Sequence, residues 1–411
     1  LKNLWVFKGD FFKLWSGTFL SILSSTLFYY SLIWWSLNET ESALSGGLII
    51  GLGMSISIVL SPFTGWLADR FHRGRLIAYS DVIISILFFT IGLLAIFNFT
   101  SILLLIITRA FISICLTAIE PASRSLISDT VEKDLIEKGI AFQEILNQIT
   151  QVAVPILTGV LFTFLPFGYV WLICGGLTFV SIFLEFLIKD KRGNQKQVSF
   201  NKKQLFSGFT NLFKNRPLRN LLYGTSIQQL LFSGFPIYIA IWTSILIKDK
   251  EWIGGIFQSI WGIGTLVAAI TLSFLAKQDH LKIVAPVLMI IFGLLLSPLG
   301  WISNVYLGLT LLVLTGAISG IVNIYLEGYL QRVTEGRDRG RSLGAFFAVN
   351  SSLMPLGYAL AGIISEMVDV KLLFLIVALP TPLVSFFIFR SVQMWEGKIK
   401  KPYGTEKATP M

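Results

Sequence analysis

The chain has 411 residues, of which 54% are hydrophobic and only 14% charged, with a formal net charge of +10. Soluble proteins carry about 25% charged residues, so a water-soluble enzyme of this length is excluded, and the mean hydropathy of +0.74 places most of the chain in lipid. The Lys and Arg residues stand in short clusters between apolar runs, which is how membrane topology is fixed; they do not form the basic face that a nucleic-acid binder needs.

A helix crosses a bilayer with about 20 apolar residues, because no backbone polar group can be left unpaired in lipid. Such runs fall at 12–36, 44–68, 75–97, 101–122, 140–164 and 168–188, then at 219–247, 253–276, 283–302, 304–330, 342–366 and 371–391. The first run is too long for the apolar core of a cleavable leader and reads as a membrane span. The expected architecture is therefore an all-α polytopic membrane protein with twelve transmembrane helices. One six-helix bundle covers 1–188, a linker 189–218, a second bundle 219–391 and a tail 392–411. In the linker, Leu205, Phe206, Phe209, Leu212 and Phe213 are flanked by Lys202, Lys203, Lys214 and Arg216. That spacing predicts an amphipathic helix lying at the membrane surface; the alternative is a tether whose lysines only obey the topology rule.

With the N-terminus inside, 29 of the 33 Lys and Arg residues fall on inner segments, so both termini are expected to be cytoplasmic in a multi-pass cell-membrane protein. Trp34, Trp35, Trp252 and Trp301 fall at outer span edges, where interfacial aromatics belong. The halves repeat weakly. Gly65–His72 aligns with Ser273–His280, Glu120 with Glu327, and Pro155 with Pro355 in spans five and eleven. Repeated halves imply a site near the midplane.

Polar residues recur at helical spacing inside several spans: Arg109, Ser113, Thr117 and Glu120 in span four; Gln143, Asn147 and Gln151 in span five; Thr315, Ser319, Asn323 and Glu327 in span ten. A polar stripe in a membrane helix must face protein or a water-filled cavity, so these residues either bind cargo or hydrogen-bond neighbouring helices. Arg109 lies about nine residues into its span, near 13 Å deep at 1.5 Å per residue. A cation there costs at least about 2.5–3.5 kcal/mol, and a guanidinium binds a carboxylate bidentately. Three readings of Arg109 stand: cargo anchor, proton coupling, or helix packing. Asp81, Glu120 and Glu144 are candidate proton carriers, or partners in charge pairs at the cytoplasmic gate. No phosphate-binding glycine loop exists, so an ion gradient is the expected energy source. Cys115 and Cys174 lie inside apolar runs, and His72 and His280 are isolated. No catalytic residues, metal site or cofactor are expected.

Between spans two and three the chain reads Gly65-Trp66-Leu67-Ala68-Asp69-Arg70-Phe71-His72-Arg73-Gly74-Arg75. This resembles the cytoplasmic signature of the major facilitator superfamily, G-x-L-A-D-R-x-G-R-[KR], with His72 in place of a glycine and the second basic residue displaced to Arg75. Asp81, Pro121-Ala122, Gln331-Arg332-Val333 with Arg339-Gly340-Arg341, and Pro355-Leu356-Gly357-Tyr358 resemble its drug:proton antiporter branch, which includes macrolide and siderophore exporters. Glu120, where relatives carry an aromatic residue, and Lys277, where the second motif carries an aspartate, depart from that branch. The resemblance implies two pseudo-symmetric bundles, with spans one, four, seven and ten lining a central cavity. Tyr29, Gln228 and Gln229 would then join Arg109 as cargo-lining residues. It also implies that Asp69 caps the start of span eleven, and that Asp69, Arg70, Arg73, Glu120 and Glu327 form the gate, with Arg73 pairing to Glu120. The expected function is proton-driven export, by a monomer, of a carboxylate-bearing small molecule such as a siderophore. Macrolide or multidrug efflux, lipid or lysolipid flipping, and a non-transporting sensor are the alternatives. The expected partners are cargo, protons and lipid.

Overall fold

The computed structural model describes residues 9–70, 72–131, 135–188, 202–246, 251–274, 281–334 and 339–399. Among them the secondary structure is helical: α1 (Asp10–Thr40), α2 (Ala43–Arg70), α3 (Arg73–Ile96), α4 (Ile102–Thr130), α5 (Ile136–Phe164), α6 (Phe167–Phe186), α7 (Lys202–Lys214), α8 (Arg216–Phe232), α9 (Phe235–Leu246), α10 (Glu251–Phe274), α11 (Leu281–Leu296), α12 (Val305–Val333), α13 (Arg339–Met367), α14 (Val370–Ala378) and α15 (Thr381–Ile399). Among the described residues twelve segments are long and apolar enough to cross a membrane, one for each apolar run of the sequence. Two of them start on a side-chain cap. Ser101 accepts from Leu104 N at the start of α4, and Asn304 accepts from Tyr306 N and Leu307 N at the start of α12, so free amides are not left bare.

Two spans that read as continuous in the sequence are broken in the structure. Span seven is α8 plus α9, parted at Ser233-Gly234. Pro236 has no N–H to give the Phe232 carbonyl, and α9 starts afresh with Ile237 N and Tyr238 N both donating to Gly234 O. Span twelve is α14 plus α15, parted at Leu379-Pro380. There the Thr381 hydroxyl donates to Ala378 O at 2.7 Å, serving a carbonyl that Pro382 cannot. The linker helix α7 covers Lys202–Lys214, with Leu212 buried and Phe209 and Phe213 exposed.

The contacts divide the chain into two compact units. The first comprises 1–200, 233–263 and 354–373. In it α3 packs along α6 and α2 along α4, with α1 laid against α6 and α5. Phe28 fills the centre between Phe88 and Trp171, and the Trp171 indole N–H donates to Ser31 Oγ at 2.6 Å. The later segments join this unit where glycines admit backbone. A β-carbon on Gly51 would come within 2.6 Å of the Pro355 carbonyl, and one on Gly255 would come closer still to the Pro155 carbonyl. The two prolines thus hold the same kind of contact, α13 on α2 and α5 on α10. Close approach through small residues is the usual means of joining membrane helices. Trp34 and Trp35 are buried at 3% and 5% exposure, and Trp34 fills the space left by Gly254. In the second unit α15 packs on α8 and α11, and α11 on α12. Tyr329 stacks on Tyr325, meets Trp395 edge-on, and hydrogen-bonds Ser391, whose hydroxyl reaches Pro217 O.

Candidate functional site

The polar stripe of span four meets the polar stripe of span one inside the first unit. Arg109 on α4 is only 8% exposed. Its aliphatic stem lies against Gly53 of α2, where a β-carbon would come within 2.7 Å of Arg109 Cβ. Its guanidinium stands beside the phenols of Tyr29 on α1 and Tyr358 on α13, which hydrogen-bond each other at 2.7 Å. Among the described residues no carboxylate pairs with it, and its Nε is buried without a hydrogen-bond partner. One turn along α4 the Ser113 hydroxyl is also buried and unpartnered, and on α1 so are Ser25, one turn before Tyr29, and Thr18. Thr117 turns back onto its own helix, donating to Ser113 O at 2.7 Å. Buried polar groups are almost always satisfied. Arg109 Nε and three hydroxyls are thus buried without a hydrogen-bond partner on α1 and α4.

The other expected cargo residues lie on α5 and in the second unit. On α5, Asn147 is half-buried with its amide 3.5 Å from Glu144 of the same helix, while Glu144 and Gln151 are exposed. In the second unit Gln228 lines a cavity of about 10 Å³ among Phe232, Met289, Phe292 and Val384, room for one water at most. Gln229 beside it is half-buried. Ser319 is buried, and the exposed Asn323 lies 3.5 Å from its hydroxyl. Of the expected gate residues, Asp69 and Arg70 end α2, and their side chains lie outside the described residues. Arg73 opens α3, and Glu327 is exposed on α12. Glu120 pairs with Arg124 one turn further on, at 3.1 Å and with both side chains 68% exposed, where the sequence suggests Arg73.

Asp81 on α3 is wholly buried. Ser21 Oγ of α1 donates to one of its oxygens at 2.9 Å, and Ser181 Oγ of α6 donates to the other. A residue missing from the sequence reading stands beside it. Glu185 of α6 is fully buried too, its carboxyl against that of Asp81 and its stem packed on Gly17 of α1. The signal was present: Thr178, Ser181 and Glu185 are spaced by three and four, one face of a helix.

The family model of the Major Facilitator Superfamily matches residues 14–324, about three quarters of the chain. The chain belongs to the major facilitator superfamily. This major facilitator transporter is 22% identical over 398 residues to macrolide efflux protein A of Streptococcus pyogenes, covering 91% of this chain and 93% of that one. It is also 22% identical over 388 residues to the staphyloferrin A transporter of Staphylococcus aureus, covering 92% and 96%. Among solved structures, the nucleoside transporter NupG matches with a TM-score of 0.77 at 15% identity, over 93% of this chain and 99% of that one. A bacterial homologue of the iron transporter ferroportin, in an inward-facing state, matches with a TM-score of 0.76 at 14% identity, over 93% and 98%. These likenesses give the transporter the major facilitator fold. Its twelve spans make it a multi-pass membrane protein.

Proposed function

We propose that this transporter exports a carboxylate-bearing small molecule, driven by protons, by alternating access in the cell membrane, as a monomer with both termini in the cytoplasm. The single observation that carries the cargo class is Arg109, a guanidinium buried in a membrane span with no carboxylate paired to it among the described residues. Insertion of that charge costs about 2.5–3.5 kcal/mol or more, and an anionic guest offsets the cost with paired, charge-assisted hydrogen bonds. Tyr29, Ser25 and Ser113 supply further donors within one turn of helix. The likeness to a staphyloferrin A transporter supports a siderophore-like cargo. The likeness to a macrolide efflux protein supports a second reading, in which the Tyr29–Tyr358 ring pair receives a large neutral guest.

Binding to the purified full-length protein tests both. Staphyloferrin A and erythromycin serve as probes for wild type, Arg109→Ala and Arg109→Lys. Truncating one partner of a buried charge pair costs about 2–5 kcal/mol, so Arg109→Ala should weaken the carboxylate probe by about 30-fold or more. Lysine, which keeps the charge but loses the fork, should recover only part of that. Equal affinity in wild type and Arg109→Ala rejects the anchor. Erythromycin binding that ignores Arg109, with no binding of the carboxylate probe, selects the macrolide reading.

A further inference from the structure

We infer that the buried carboxyl pair Asp81–Glu185 is a proton-binding site of this transporter, and that Ser21 links its state of protonation to α1. The pair lies apart from Arg109, enclosed by α1, α3 and α6. Both side chains are fully buried. Asp81 is met by two hydroxyl donors, Ser21 Oγ and Ser181 Oγ. Neither oxygen of Glu185 is reached by a hydroxyl or an N–H among the described residues, and its neighbour is the other carboxyl.

The groups that face the pair do not neutralise it. On α1, Lys13 spends its ammonium on Asp10 Oδ1 at 2.9 Å and Leu187 O at 3.1 Å. On α4 the Cys115 thiol lies toward Asp81, and on α6 the Thr178 hydroxyl is shared with Ser24 at 2.7 Å. On α3, Arg73 and Arg75 are about 12 and 9 Å from Asp81 along the axis at 1.5 Å per residue; they flank Gly74, which packs on the Glu185 backbone, but no guanidinium donates to a Glu185 oxygen among the described residues. Two carboxylates in contact, out of water and with no cation hydrogen-bonded to either, do not both stay ionised. One proton, held as an O–H donating from one carboxyl to the other, supplies the bond that Glu185 lacks. That proton is taken from water and returned to water, and no other bond changes.

The site has a direct route to the cargo face. Ser21 holds Asp81 from α1, and Tyr29 lies on the same helix about 12 Å further along. Full loss of the proton puts two anions side by side behind α1. A second proton turns Asp81 into a donor, and its two hydroxyl partners must reorient. Either change acts on the α1–α3–α6 contact, and α1 carries that change to Tyr29. The role in the transport cycle rests on the proton-driven reading above, whereas occupancy by a proton does not.

Infrared spectroscopy of the full-length protein, purified in an ester-free detergent and without cargo, separates the two. Wild type should show the C=O band of a protonated carboxyl at neutral pH, displaced when water is replaced by D₂O. Glu185→Gln, which leaves Asp81 with its two hydroxyl donors, should lose it; Asp81→Asn should shift it; the double variant should lose it; and Glu120→Gln should keep it. No such band in wild type, or a band unchanged in the double variant, overturns the assignment. A band that D₂O never displaces marks a sealed structural pair and overturns it equally. Ser21→Ala retains both acids and should shift the band in frequency; an unmoved band removes the link to α1. The cargo assays with Arg109 fail or succeed independently of all of these outcomes.

Discussion

Gly53→Ala is a one-carbon test of the cargo site. The added β-carbon would lie 2.7 Å from Arg109 Cβ and nearer still to its Cγ, against an ordinary contact of 3.4–4 Å, an overlap of about 1 Å. Arg109 Cβ is fixed to the α4 backbone, so a rotamer change cannot relieve it; α2 and α4, packed along much of their length, must part. Overpacking of this kind costs about 1–3 kcal/mol, partly offset by the roughly 1 kcal/mol that alanine gains over glycine in a helix. Stability should therefore fall by at most about 2 kcal/mol. The guanidinium is displaced from Tyr29 and Tyr358, and misplacement by 1 Å can cost up to about 100-fold in a positioned interaction. Binding of the carboxylate probe and the midpoint of thermal unfolding, measured on the same preparation, should separate: a large loss in the first, a small one in the second. Gly176→Ala, whose β-carbon would meet nothing within 4 Å, should leave binding unchanged and the thermal midpoint unchanged or slightly raised. Wild-type affinity in Gly53→Ala, or equal damage from Gly176→Ala, would refute the packing of Arg109 on Gly53 as the device that aims it.

Other substitutions probe the frame. Tyr29→Phe and Tyr358→Phe each remove one hydroxyl of a 2.7 Å pair; a double-mutant cycle on unfolding should give a coupling of at least about 0.5 kcal/mol, and strict additivity would contradict the contact. Trp171→Phe removes the indole N–H that meets Ser31 and should destabilise by about 1 kcal/mol or more in denaturant titration. Glu366 accepts from Ser42 Oγ and from Leu44 N at the start of α2, so Glu366→Ala should cost about 0.5–2 kcal/mol as the loss of a helix cap, read as a lowered thermal midpoint. Glu120→Gln breaks only an exposed pair with Arg124, and its unfolding free energy should stay within about 1 kcal/mol of wild type.

The spans were legible because lipid imposes one rule on every crossing segment, and the rule is written in length and hydropathy. The breaks within spans were legible too, in principle: Gly234 with Pro236, and Pro380 with Pro382, are helix-ending signals, overshadowed by the apolar runs around them. Facing was harder to read. Gln143, Asn147 and Gln151 share one side of a helix as surely as Arg109, Ser113 and Thr117 do. Nothing in that spacing says which side meets α1 and which looks elsewhere, since that depends on glycines in other helices such as Gly53 and Gly17. Trp34 illustrates the same limit, as it fills the space left by Gly254, some 220 residues away. Glu185 was hidden by its position near the end of an apolar run, where an acid ordinarily signals the water boundary. Its partner in α3 lies 104 residues earlier, a pairing no local pattern reveals.

The gap in span seven bears on rates. To bend a continuous helix in lipid, carbonyls must give up hydrogen bonds that no water replaces, and that loss sits in the activation barrier. At Ser233-Gly234 the helical ladder is already interrupted in the resting molecule: Pro236 carries no N–H, and α9 is nucleated independently on Gly234 O. The break coincides with the boundary between the two compact units, which falls between Phe232 and Ser233. A change of torsion at those two residues breaks no continuous helical ladder, and torsional wells are shallow beside the cost of an unpaired carbonyl in hydrocarbon. Temperature should therefore speed that motion only gently, while a continuous alanine helix engineered across the gap should slow it and steepen its temperature dependence.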